Sequence, residues 1–174
     1  MLVVSNTSPI LNLAIIDRLS LIREQFTTVI IPKGVLEELR VGENLPGSKK
    51  ILEALDAKWL QVEEVQDSAM LRILKRELDS GEAEAITLAL ETRAQWVLLD
   101  ESEARRIAKD LGLKVTGVLG ILLRDCRQKR IPSLRTEMER LREKAGFFIA
   151  DHLIEDLLKQ SQNFKDQASS KNQS

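Results

Sequence analysis

The sequence predicts an α/β fold, with a central parallel sheet of four to five strands flanked by helices in three layers. Short apolar runs rich in Val and Ile, at Leu2–Ser5, Thr27–Ile31 and Trp96–Leu99, have the composition of parallel strands covered on both faces. Two weaker runs lie at Trp59–Val62 and Lys114–Thr116. Helical patterns separate the runs, which implies βαβ units with right-handed crossovers. At 174 residues and 43% hydrophobic content, the chain suits one domain with a sizeable core.

The elements follow in order. Ser8-Pro9 is expected as the N-cap and first residue of a helix whose apolar stripe is Ile10, Leu11, Leu13 and Ala14. Pro32 ends the second strand. Val35, Leu36 and Leu39 start a helix running toward Gly42, and a loop with Asn44, Pro46, Gly47 and Ser48 follows. An amphipathic helix is expected over Met70–Leu78, broken by Asp79-Ser80-Gly81. A strong helix then starts at Glu82, with acids in its first turn where the helix dipole favours them. Ala104–Leu111 is a further helix, closed by Gly112. Beyond Pro132 the chain is helical but less patterned, and its end is rich in Gln, Ser, Asn and Lys. The expected organisation is an α/β domain over residues 1–132, a helical extension over 133–160 and a disordered tail over 161–174.

Composition excludes several classes. A net charge of −1 gives no global attraction for a polyanion, so any nucleic-acid surface must be local. The single cysteine, Cys126, permits no internal disulfide, and no Cys/His cluster suggests zinc. No apolar run approaches the ~20 residues of a membrane span, and no signal peptide is expected. A cytoplasmic location is the default. Glycine-rich phosphate-binding patterns are absent, which argues against a nucleotide site.

Ligands of open α/β sheets bind at the carboxyl ends of strands. Asp100 stands at such an end, after Trp96-Val97-Leu98-Leu99, and Asn6 holds the equivalent place after Leu2–Ser5. Glu38 and Glu82 sit at helix positions near the presumed crevice. Val35 and Leu39 define a buried stripe that Glu38 flanks, which favours it over Glu37. Clustered carboxylates raise one another's pKa unless a cation lies among them, and Mg²⁺ or Mn²⁺ suits oxygen ligands. Simpler alternatives stand beside this reading. Asn6 fits a turn residue, Asp100 a helix cap, and Glu82 and Glu84 first-turn acids.

Several fragments in order resemble the PIN domain, the fold of many prokaryotic ribonucleases including VapC-type toxins. They are Val4-Ser5-Asn6-Thr7-Ser8-Pro9, Ile31-Pro32, Val35-Leu36-Glu37-Glu38-Leu39, Gly81-Glu82-Ala83-Glu84-Ala85-Ile86, Leu98-Leu99-Asp100 with Ala104-Arg105-Arg106, and Val115-Thr116-Gly117-Val118-Leu119-Gly120. Within that family the start is most similar to a prokaryotic group reading Val-Ser-(Asp/Asn)-Thr-Ser-Pro. The resemblance covers about residues 2–132 and implies a single PIN-like domain. It also implies four acid positions, here Asn6, Glu38, Glu82 and Asp100, that hold Mg²⁺ or Mn²⁺ and cut RNA with a metal-activated water. Two departures stand out: the first position is an amide, and the third is Glu where the family usually has Asp, with Glu84 competing for the role. Thr7, Ser8, Glu84 and Glu103 are candidate supporting residues.

Arg105, Arg106 and Lys109 are candidates for RNA phosphates. The segment Arg124–Lys144 carries eight basic residues against four acids, a net +4, and is a second candidate patch. The only histidine, His152, is read as structural or surface, and Cys126 lacks the partners of a nucleophile. The resemblance further implies the toxin half of a toxin–antitoxin pair, a small antitoxin docking in an apolar groove, and a homodimer. The alternative is a PIN-like RNA- or partner-binding module impaired by Asn6. A third possibility, that all the acids are helix caps, predicts side chains far apart.

Overall fold

In a computed structural model, which describes residues 1–171, the chain resolves into two compact units, Met1–Val118 and the segment from Leu119 onward. The first unit carries all five strands: β1 (Leu2–Ser5), β2 (Thr28–Pro32), β3 (Leu60–Glu63), β4 (Trp96–Leu98) and β5 (Lys114–Thr116). All pair in parallel, in the order β3-β2-β1-β4-β5. Each predicted run therefore forms a strand, shifted at its ends by a residue or so. The helices of this unit are α1 (Thr7–Ile15), α2 (Ser20–Gln25), α3 (Lys33–Leu39), α4 (Ser48–Asp56), α5 (Ala69–Leu74), α6 (Ser80–Glu91) and α7 (Ser102–Asp110).

Side chains alternate across the sheet. Val4, Ile30 and Val97 share one core cluster with Leu71 and Leu74 of α5, Ala85 and Ile86 of α6, and Ala104 and Ile107 of α7. Val3, Val29 and Ile31, the alternate positions of the same strands, are fully buried as well. Both faces are covered, as the near-continuous apolar strands require. The architecture is the predicted three-layer α/β/α sheet.

Strand order places the switch point at β1. Chain direction carries β1 to β2 on one side, and β4 pairs with it on the other, with Val4 opposite Ile30 and Val97. The crevice beyond the carboxyl ends of β1 and β4 is where such sheets bind ligands. Val118 begins α8 (Val118–Arg127), and the second unit continues with α9 (Leu134–Ala145) and α10 (Asp151–Lys171).

Four local expectations need correction. Helix α1 begins at Thr7 with Asn6 in the N-cap position, so Ser8-Pro9 lies inside its first turn. Gly81 is likewise inside α6, because Asp79 caps that helix by accepting from the Glu82 backbone N–H at 2.8 Å. The helix expected over Met70–Leu78 stops at Leu74, and turns join it to Asp79. Residues 161–171, expected as disordered tail, continue α10, and residues 172–174 lie outside the described residues. Within the second unit this extension has side-chain support, since Ser161 is buried against Cys126 and the Arg127 guanidinium lies over the Phe164 ring.

Ile86 is fully buried where α6 crosses the sheet. Ile86→Ala is expected to cost about 2–5 kcal/mol in urea unfolding. The same change at exposed Ile73 is expected to cost much less.

Candidate functional site

The site grows from the turn that joins β1 to α1. The Asn6 backbone N–H donates to the Leu98 carbonyl at 3.1 Å and so extends the β1–β4 ladder by one residue. The chain then turns into α1, and three consecutive side chains diverge. Thr7 donates to Glu38 Oε2 in α3. Ser8 donates to Asp100 Oδ2 at 2.6 Å. Asn6 is 6% exposed, and its Oδ1 is buried with no hydrogen-bond partner. An orphaned buried carbonyl oxygen is costly and calls for an explanation.

The surroundings of that oxygen supply one. A Cβ built at Gly81 would lie 2.7 and 2.9 Å from the two Glu38 carboxylate oxygens and 3.0 Å from Asn6 Oδ1. Asn6 and Glu38 therefore converge on one small space, kept open by the missing side chain in the first turn of α6. Glu82 follows on the same turn, buried at 5% exposure. Its pKa is pushed up to about 7, first by burial and then by the charge of Asp79, with Glu101 and Glu38 adding to the effect.

Asp100 is held differently. Its Oδ2 accepts from Ser8, and its Oδ1 accepts the Val118 backbone N–H at 2.8 Å. Burial raises its pKa, opposed by these two bonds and by the Arg105 charge. Gly117 is a position where a side chain will not fit, because backbone stands in its way. A Cβ there would press on Asp100 Oδ1, lie 2.8 Å from the Leu99 carbonyl and 3.1 Å from Arg105 Nη1.

The structure thus brings Asn6, Glu38 and Glu82 to one region and ties Asp100 to the same turn through Ser8. Thr7 and Ser8 bond the acids, so neither caps α1, where no side-chain cap bond is made. Glu84 leaves the group: two residues on from Glu82, it pairs with Lys75 at 3.5 Å and occupies the space over Gly34. Glu103 pairs with Arg106 at 2.6 Å, on the exposed face of α7. Of the basic candidates, Arg105 donates to the Leu99 carbonyl at 2.8 Å, Arg106 pairs with Glu103 and Asp110, and Lys109 is exposed. In the second unit, Arg130 and Arg140 of the basic segment pair with Asp125 and Glu137. Exposed His152 and buried Cys126 stand apart from these acids in the sequence and belong to the other unit.

Sequence reasoning assigns no site role to Glu101, Asp79, Gly81 or Gly117: Asp79 and Gly81 enter it as a helix break, and Gly81 and Gly117 as parts of family-like fragments. Glu101 is next to Asp100 in the chain and charges both Asp100 and Glu82, but a lone acid at a helix start carries no signal of that. Gly81 reads in sequence as a helix breaker, whereas its role is to leave room.

The donors fit a hard divalent cation in kind: carboxylate oxygens and an unpartnered amide oxygen around one space. Among the described residues, no three acidic, cysteine or histidine side chains converge on a single point. The cation fit therefore rests on the Asn6–Glu38 space, with Glu82 beside it.

A family model described as a PIN domain matches residues 2–163. No curated protein and no solved structure matches the chain. Among the described residues, no helix is long and apolar enough to cross a membrane.

The raised pKa of Glu82 has a stability consequence with a definite sign. The folded state holds this proton more tightly than the unfolded chain. Its burial therefore carries no ionisation penalty below about pH 4.5, and stability falls as pH rises from there to about 7. Glu82→Gln is expected to flatten that part of the stability profile, measured by urea unfolding across pH in a chelating buffer.

Proposed function

The chain belongs to the PIN domain family, and on that premise we propose that it is a divalent-metal-dependent ribonuclease. PIN domains are generally nucleases and generally use divalent metals. The observation that carries the reading is the orphaned Asn6 Oδ1, buried and facing the Glu38 carboxylate across the space over Gly81.

In this reading Asn6, Glu38, Glu82 and Asp100 hold Mg²⁺ or Mn²⁺. An ion held there would supply a water of lowered pKa and would offset charge on the phosphodiester. The protein's own part is positioning. Thr7 orients Glu38, while Ser8 and the Val118 N–H hold Asp100 as an acceptor. Glu82 is desolvated beside Asp79, Glu101 and Glu38, a repulsion that a cation would relieve. Asn6 donates a neutral oxygen, so it ligates without adding charge and cannot serve as a base.

The finer reading is an endoribonuclease toxin of the cytoplasm, held by a small antitoxin and active as a homodimer. The family resemblance supports it. An exposed apolar groove of the first unit, lined by Met70, Ile73, Leu74, Ile107 and Leu111, supports a protein partner. A second reading, a catalytically impaired module that binds RNA or a partner, is favoured by one observation: the amide at Asn6 where the family has an acid.

Cleavage of a mixed RNA substrate with Mn²⁺ tests the proposal. Wild type is expected to cut, and Glu38→Gln and Asp100→Ala are expected to lose at least 100-fold, on the order of other catalytic-group deletions. Asn6→Asp is expected to tighten Mn²⁺ binding about tenfold, which corresponds to ~1.4 kcal/mol. Activity only in Asn6→Asp would select the binding module, and silence in all variants, free of any co-purifying inhibitor, would remove the nuclease reading.

A second prediction separates site from fold. Gly81→Ala places a better helix former inside α6 and is expected to hold or raise the unfolding midpoint. The methyl displaces the Glu38 carboxylate, so Mn²⁺ affinity by calorimetry is expected to fall at least tenfold.

A further inference from the structure

One polar side chain near the proposed ligands contacts a residue that holds Asp100. Asn12 lies in α1, one turn beyond Ser8, and its Nδ2 donates to Ser8 Oγ at 3.0 Å. Ser8 in turn donates to Asp100 Oδ2 at 2.6 Å. A hydroxyl has a single proton. With the Asn12 amide donating to the Ser8 oxygen, that proton is directed at Asp100.

The opposite arrangement is unfavourable. Were the Asn12 carbonyl turned toward Ser8, the hydroxyl would donate to it and present only lone pairs to the Asp100 carboxylate. The network therefore dictates the amide's orientation. Asp100 Oδ1 takes the Val118 N–H at 2.8 Å, so each carboxylate oxygen has one fixed donor and keeps a further lone pair. Two donors from different elements, α1 and the start of α8, leave the carboxylate one plane.

We propose that Asn12 is a positioning residue that acts through Ser8 to hold the Asp100 carboxylate in a single orientation. Its effect on metal binding rests on the function proposed above, whereas the relay itself does not. Partners of this kind, one step removed from a ligand, usually change metal affinity by 10–100-fold when deleted.

The test uses the full chain and two readouts. In Mn²⁺ titrations followed by electron paramagnetic resonance, Asn12→Leu is expected to raise the Kd roughly tenfold. Ser8→Ala is expected to do the same or more, and the double variant no more than Ser8→Ala alone, because both act at one point. A structural role for Asn12 in α1 alone predicts instead that the two effects add, and that result would overturn the proposal. The second readout is free of metal: urea unfolding in EDTA of a double-mutant cycle between Asn12→Leu and Asp100→Asn. Coupling that is present with Ser8 and lost in Ser8→Ala supports the relay, and no coupling with Ser8 overturns it. If wild type binds no Mn²⁺, the metal reading fails while this cycle still decides the relay.

Discussion

Three consecutive residues at the carboxyl end of β1 face three different elements. The Asn6 amide oxygen looks toward Gly81 in α6, the Thr7 hydroxyl bonds Glu38 in α3, and the Ser8 hydroxyl bonds Asp100 beyond β4. β1 is the central strand, paired with β2 and with β4. Its carboxyl end is therefore the one point from which a short turn reaches both sides of the crevice. Everything chemical in the first unit is referred to that turn. If its direction changed, Glu38 and Asp100 would lose the donors that orient them, and the acids of α6 would face a different neighbour.

The electrostatics of the crevice work against folding. Glu82 is buried among Asp79, Glu101 and Glu38, and the result is a carboxyl that holds its proton to about pH 7. An ordinary surface would disperse these charges. Their concentration in one place is a strained arrangement that the apolar packing of α5, α6 and α7 on the sheet must offset. Asn6 presents a dipole rather than a charge to the space it shares with the Glu38 carboxylate, and so adds no further repulsion there. The same amide leaves an unsatisfied oxygen in a buried setting. These two effects have opposite signs for stability, and a cation would favour both partners.

Two glycines show how closely the framework fits the acids. Neither Gly81 nor Gly117 has a positive φ, so backbone freedom does not explain them. Space does. Gly81 leaves room for Glu38 and Asn6, while Gly117 lets Asp100, the Leu99 carbonyl and Arg105 approach one another. At Gly81 the neighbouring atoms end flexible side chains and can yield. At Gly117 one of them is backbone, and it cannot.

Most of the sheet was legible in the sequence. Runs such as Leu2–Ser5 and Thr28–Ile31 are covered on both faces, and that burial demands the apolar, β-branched composition that marks a parallel strand. The placement of Asn6 and Asp100 at strand ends was legible for the same reason, since a strand that becomes polar must be leaving the core. The sequence could not show which hydroxyl serves which acid. Ser8 read as a helix cap because local spacing is all that a sequence displays, and the actual partners of Thr7 and Ser8 lie 31 and 92 residues away. Glu82 and Glu84 read as rivals, until the helical rotation between them turned one toward Glu38 and the other toward Lys75. Composition and periodicity determined the layers and strands, because burial acts on each segment separately. Tertiary structure decided the partners, the open space over Gly81 and the charge on Glu82, because these depend on distances that only the folded chain creates.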